Sequence, residues 1–228
     1  MASNLRLIDD QTVERLRAFV AGGGTLVLNY RAATQNIDNS MRRTLEPGPF
    51  ADIAGVKSEA MLDLAEYNPE HGAFDRKLES ELGISFTGTG GVFRPRTMIE
   101  SLVLHGAEPI AFVNSGHMDG KPAVTRNRCE KGWVFYAGVD CIEDEFYEAL
   151  ARIVGAAAGL TPLLAVPYGV EVTSRHDAQA TYYFLLNLTE AEHKKIALPR
   201  LMDDLIDDRK NISQISLGPL DVAVLASK

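Results

Sequence analysis

The stretch Phe19–Tyr30, FVAGGGTLVLNY, puts three consecutive glycines directly ahead of an apolar run that reads as a strand. The residues before it, DDQTVERLRAFVA, space Val13, Leu16, Phe19 and Val20 at helical intervals, with Asp9 or Asp10 at the N-cap and Glu14 in the first turn. The order is therefore helix, glycines, strand. Phosphate-cradling glycines run the other way, from a strand into the positive end of a helix, and here they meet the negative end. Neither GxGxxG nor GxxxxGK[ST] occurs. The stretch reads as a helix C-cap feeding a sheet strand, the corner of an α/β layer.

Working outward, TLVLNY opens into a polar segment containing Asn29, Tyr30, Arg31, Gln35, Asn36, Asp38, Asn39, Arg42 and Arg43. Open α/β sheets bind ligands beyond the carboxyl ends of their strands, so the loop from Tyr30 to Arg43 reads either as a segment that binds a ligand or packs against another subunit, or as a solvated excursion. PFADIAGV reads as a short helix closed by Gly55. From about Lys57 to Phe93 the pattern is irregular and reads as turns, with SFTGTGGVF as a hairpin or extended loop. MIESLVLHGAEPIAFV reads as strand, turn and strand around Gly106 and Pro109, and PAVTRNRCEKGWVFYAGVD as two strands around the EKG turn, the second ending at Asp140. IEDEFYEALARIVGAAAGL is the clearest helix, with Phe146, Leu150, Ile153 and Val154 as its apolar stripe and Gly155 or Gly159 at its end. The prolines of TPLLAVPYG mark a domain boundary. Beyond them GVEVTSR, TYYFLLNL, KIALP, QISLG and DVAVLA are short strands separated by turns, including DDLIDDRK. The reading is an α/β domain over residues 1–162 and a small antiparallel β domain over residues 163–228.

Composition narrows the function classes. Lys and Arg total 23 against 31 Asp and Glu, a formal charge of −8, which disfavours attraction of nucleic acid or anionic lipid. No run approaches the roughly 20 apolar residues of a membrane helix. Cys129 and Cys141 belong to no CxxC pair, so they form neither a disulfide framework nor a soft-metal site and read as reduced thiols of a cytoplasmic protein. MASNLRLIDD lacks the pattern of a secretory signal.

Chemistry is sparse. His71, His105, His117, His176 and His193 are scattered without an HExxH pair, which predicts no metal site. His117 stands beside Ser115 and Asp119, but three neighbouring loop residues do not supply the separate positions of a catalytic triad, and His117 reads as a turn residue. Cys141 is the better placed thiol, at a strand-to-helix passage. Its acidic surroundings, VDCIEDE, raise a thiol pKa, and the following helix N-terminus opposes them. Asp140, Glu143, Asp144 and Glu145 are acids at a helix start, explained by capping and the dipole. The sequence nominates no catalytic, cofactor-binding or metal-ligating residue, and no cofactor.

LRLIDDQTVERLRAFVAGGGTLVLNYRAATQNIDNS, EPGPFADIAGV, GHMDGKPAVTRNRCEKGWVFYAG and VPYGVEVTSRHDAQATYYFLLNLT, in that order, resemble the C-terminal, non-catalytic part of family 42 glycoside hydrolases, the bacterial β-galactosidases. The resemblance implies a Rossmann-like three-layer trimerisation domain similar to class I glutamine amidotransferase domains, entered late at LRLI, followed by a small antiparallel β domain. It also implies a homo-oligomer, trimeric in the intact parent, whose catalytic glutamates lie on a TIM barrel absent from this chain. No glutamate here inherits their role, and no cysteine elbow matches the amidotransferases. Two other readings stand beside this scaffold. One is a carbohydrate-binding or interaction module using Tyr168, Tyr182 and Tyr183, of which adjacent Tyr182 and Tyr183 fall on opposite sheet faces. The other is a thiol-dependent enzyme built around Cys141.

Overall fold

A computed structural model describes residues 5–44, 46–68, 70, 73–76, 82–88 and 90–227. The chain divides into two compact units, Met1–Leu160 and Thr161–Lys228.

The first unit runs α1 (Asp10–Ala21), β1 (Thr25–Asn29), a 3₁₀ turn (Gly48–Phe50) continuing into α2 (Ala51–Ala54), β2 (Val56–Asp63), β3 (Ala65–Asn68), β4 (Ala73–Arg76) and β5 (Gly83–Phe86). It continues with β6 (Pro95–Leu104), β7 (Glu108–Asn114), β8 (Pro122–Cys129), β9 (Gly132–Ala137), β10 (Val139–Cys141) and α3 (Asp144–Ala157). The main sheet has the order β1-β9-β8-β7-β5. Among its described strands only β1 and β9 are parallel, in register from Thr25 opposite Trp133 to Asn29 opposite Ala137. A second sheet has the order β10-β6-β2, and β3 pairs with β4.

The glycine corner follows the order of its elements. Asp9 caps α1, its carboxylate accepting from the Thr12 amide at 2.6 Å. Gly22 keeps a right-handed backbone, and Gly23 takes the turn at φ 114°. The amides of Gly22, Gly23 and Gly24 close on the carbonyls of Ala18, Val20 and Phe19. The corner then packs backbone to backbone against the β8–β9 turn. Trp133 N donates to Gly24 O at 3.1 Å, and a Cβ at Gly132 would fall on the carbonyls of Val20 and Gly24.

Strand alternation places the helices. Leu26 and Leu28 of β1, with Val134 and Tyr136 of β9, bury against Val13 and Val20 of α1 and against Phe50 and Ile53. The intervening Val27, Phe135 and Ala137 face the opposite way, against Phe146 and Leu150 of α3. This is the period-two rule applied to a sheet covered on both faces. A fully buried side chain of this size contributes about 1.5–3 kcal/mol, so each layer is held by several such terms.

Two expectations change. Residues 57–93 are not merely turns: β2 is an eight-residue strand antiparallel to β6, and β5 closes the main sheet against β7. Residues 69, 71–72, 77–81 and 89, His71 among them, lie outside the described residues. The strand, turn and strand read around Gly106 and Pro109 are β6 and β7, which lie in different sheets, β6 in the second and β7 in the first. The strand expected to end at Asp140 breaks at Gly138, whose amide donates to Ala123 O in one sheet while its carbonyl accepts from Glu100 N in the other.

The second unit is an antiparallel sheet of β11 (Val170–His176), β12 (Thr181–Asn187), β13 (His193–Asp204), β14 (Arg209–Leu217) and β15 (Val222–Ser227), in the order β11-β12-β15-β13-β14. Leu185, Met202, Leu217 and Leu225 are the centre of its core. The acidic turn between β13 and β14 is fixed by Asp204, which accepts from the Ile206 amide and from Arg209 Nη2 at 2.6 Å.

Candidate functional site at the carboxyl end of the first strand

At the end of β1 the Tyr30 amide still bonds Ala137 O at 2.7 Å, and the chain then leaves the sheet through Arg31, at φ 59°. A left-handed arginine needs an external hold, and Glu100 of β6 supplies it by accepting from the Arg31 amide at 2.9 Å. The other oxygen of Glu100 accepts from Tyr136 Oη at 2.6 Å. Glu100 is fully buried. Burial raises its carboxyl to about 7, against the lowering effects of the Tyr136 and Arg31 bonds. Burial and the neighbouring Glu100 charge push the Tyr136 phenol well above its ordinary value. Neither residue stands out along the chain. The available signal was a carboxylate within the apolar strand MIESLVL.

The loop above this carboxylate is tightly bonded. Ala33 N donates to Leu5 O, Gln35 N to Arg6 O and Ile8 N to Gln35 O, while Arg42 N donates to Thr34 O. Ala32, Ala33 and Thr34 are buried at its base. Beside the carboxyl end of β1, Asn29, Tyr30, Ala137, Asp140, Phe146 and Tyr147 line a cleft of about 220 Å³.

The acids nominated at the helix start are tied into the structure. Asp140 accepts from the amides of Thr97 and Met98 and from Thr97 Oγ1 at 2.8 Å. Glu143 occupies the α3 N-cap position without capping it. Its carboxylate instead accepts from Arg94 N at 2.8 Å and Arg94 Nε at 2.6 Å, while Asp144 and Glu145 sit in the first turn of α3, where the dipole favours them. Cys141 lies in the core with Phe146 and Leu150. Burial, then the charges of Glu143 and Asp140, raise its thiol far above the ordinary range. A sealed thiol disfavoured as thiolate is no nucleophile at neutral pH, which removes the thiol-enzyme reading.

The remaining candidates do not converge. His117 is exposed in a 3₁₀ turn, where the Asp119 carboxylate accepts from the Ser115 amide at 2.8 Å. His105 and His176 are exposed, and His193 meets Thr189 Oγ1 at 3.2 Å. Among the described residues no group of three His, Cys, Asp or Glu is arranged to hold a metal ion. No helix among them is long and apolar enough to cross a membrane. Tyr183 is buried in the β core with its hydroxyl accepting from Arg200 Nη2, whereas Tyr182 is half-exposed and bonded to Asp177, so the pair does fall on opposite faces. Tyr168 is exposed.

The class defined is an α/β domain joined to a separate small antiparallel β domain, with its buried carboxylate, acids and core thiol all used internally. Residues 1–161 match the family model described as "Beta-galactosidase trimerisation domain", and residues 169–226 match "Beta-galactosidase C-terminal domain". The chain belongs to the β-galactosidase trimerisation-domain family and corresponds to the trimerisation and C-terminal domains of a family 42 β-galactosidase. Among the described residues there is no (β/α)8 barrel.

Similar proteins include beta-galactosidase BglY of Alicyclobacillus acidocaldarius, 31% identical over 200 residues that make up 87% of this chain and 28% of that protein. Beta-galactosidase LacZ of Heyndrickxia coagulans is 26% identical over 93% of this chain and 30% of its own length. The crystal structure of beta-galactosidase from Bacillus circulans sp. alkalophilus superposes with a TM-score of 0.81 at 22% identity, covering 99% of this chain and 32% of that one. This chain thus spans less than a third of the length of these relatives.

Proposed function

We propose that this region assembles and supports a β-galactosidase. In this reading it holds the subunits in a trimer and buttresses a catalytic barrel that hydrolyses terminal β-galactosides, without turnover of its own. The observation that carries the reading is the trimerisation-domain match over residues 1–161. The sealing of Glu100 and Cys141 agrees with it, because neither group is offered to a substrate. We further assign the first domain to residues 1–162 and the second to 163–228. Helices on both faces of the main sheet support an amidotransferase-like, Rossmann-like three-layer reading of the first. Two free cysteines suit a cytoplasmic protein.

Light scattering on the full-length parent and on a form lacking residues 5–160 tests the assembly role. The parent is expected to be trimeric and the shortened form monomeric, and an unchanged trimer overturns the reading. The 228-residue chain is expected to leave an aryl galactoside intact, and reproducible hydrolysis by pure material would contradict that.

A further inference from the structure

We infer that the tip of the loop after β1, Ile37 and Met41 together with Leu7, is an apolar anchor that a second copy of this chain covers in the oligomer. The inference rests on the assembly reading above and deepens it by naming the contact.

Ile37 is 70% exposed, Met41 61% and Leu7 48%. Leu7 and Met41 belong to one locally ordered strip, and Ile37 sits in the turn that joins Gln35 to Met41. Leu7 bridges to Gln35 in parallel and Gln35 to Met41 antiparallel, and directly opposed residues carry their side chains on the same side of such a strip. Leu7 and Met41 therefore flank Gln35 on one face. The turn that carries Ile37 is closed by Asn36 N donating to Ser40 O, Asn39 N donating to Asn36 O, and the Asp38 carboxylate accepting from the Ser40 amide and hydroxyl. At its base, Glu100 holds the Arg31 amide and Arg42 reaches Ile8 O and the Asp10 carboxylate. Scattered single apolar residues on a surface are ordinary, but three exposed within one hydrogen-bonded segment point to an interaction site. A projection already fixed in shape loses little conformational entropy when it docks.

Two observations select a second copy as the occupant. The whole patch lies inside the segment matching the trimerisation-domain family. A cyclic trimer needs a heterologous contact, in which a projecting patch on one subunit meets a different surface on the next. Charge agrees: with Arg42 paired to Asp10, residues 30–43 still carry Arg31 and Arg43 against one acid, Asp38, on a chain of net charge −8. The locally basic projection is drawn towards the acidic remainder of another copy.

The test is light scattering across a dilution series of the full 228-residue chain and of its Ile37→Asp and Ile37→Asp/Met41→Asp variants. Both positions are exposed, so circular dichroism and the thermal midpoint are expected to stay unchanged. Association should weaken at least about 30-fold in the double variant, as for the loss of an interface hot spot. A wild-type oligomer matched by an equally strong oligomer of the double variant overturns the anchor and leaves the assembly reading standing. A wild-type chain that is monomeric throughout overturns the assembly reading for this chain and the anchor with it. As a second measurement, Ile37→Cys labelled with a benzophenone maleimide should give covalent inter-chain products on illumination. Label attached to residue 37 that cross-links only within its own chain overturns the proposal.

Discussion

Tyr136 Oη donates a 2.6 Å hydrogen bond to Glu100 Oε2 at a point where neither side chain reaches water. The other carboxylate oxygen accepts from the Arg31 amide, so one buried acid joins β6, β9 and the loop that leaves β1. Both oxygens are bonded by neutral donors. Desolvation is therefore opposed without being cancelled, and the acid titrates near neutrality.

Glu100→Gln should flatten the dependence of stability on pH. The folded protein keeps the Glu100 proton up to about 7, whereas the unfolded chain releases it near 4.5. Across that window the native state binds more protons, so stability falls as pH rises, by at most about 1.4 kcal/mol per pH unit. Between pH 5 and pH 8 the wild type should lose roughly 2–3 kcal/mol more than the variant. Urea unfolding at four pH values checks this, and parallel curves would show that Glu100 titrates as it does in water.

Tyr136→Phe removes the hydroxyl that helps solvate the ionised acid. A loss of about 1–3 kcal/mol is expected at pH 8, shrinking towards pH 5 as Glu100 takes up its proton. The same urea series reads it out. A loss that grows on acidification would contradict the lowering effect of the Tyr136 bond on the Glu100 carboxyl.

In the β domain, burial pushes the Asp204 carboxyl up, but the Arg209 bond and the Ile206 and Asp207 amides outweigh it and leave the group below its usual value. Its stabilisation is present above the ordinary carboxylate range and is lost as pH falls through the lowered folded value. Arg209→Ala should cost about 1–3 kcal/mol at pH 7, tempered by the partial exposure of the arginine. Thermal unfolding of this unit at pH 7 and pH 3 should show the difference narrowing on acidification.

Gly132→Ala should be among the most damaging small substitutions, since its methyl group would meet two backbone carbonyls, Val20 O and Gly24 O, that cannot rotate away. A loss of about 3 kcal/mol or more is expected, or no soluble folded product. Gly90→Ala, where nothing stands within 4 Å, is the matched control. Equal melting temperatures for the two would refute the account of the glycine corner.

Thiol labelling with a disulfide reagent should find Cys141 protected in the folded protein and released by guanidinium, since its side chain is wholly buried. Cys129, half-exposed and with a thiol raised first by burial, should react slowly without denaturant. Rapid native labelling of Cys141 would return it to consideration as a reactive group.

Several of these features were legible along the chain. Asp9, the apolar spacing to Val20 and the three glycines define α1 and its turn into β1, and Phe146 with Leu150 defines the buried stripe of α3. Each signal lies within one element, where capping, helical period and the special freedom of glycine act over a few residues. β2 was hidden because VKSEAMLD buries only Val56 and Ser58 and then runs largely exposed, without a clean alternation.

By itself, then, the sequence determined the order of helix, corner and strand, the change of character near TPLLAVPYG and the family resemblance, all of which depend on neighbours in the chain. Only the tertiary structure decided that β6 and β7 part into different sheets, that the chain changes sheets at Gly138, and that Glu100 meets Tyr136 thirty-six residues away. Strand partners and the burial of a charge are set by long-range pairing, and periodicity within a segment carries no record of which distant segment will cover it.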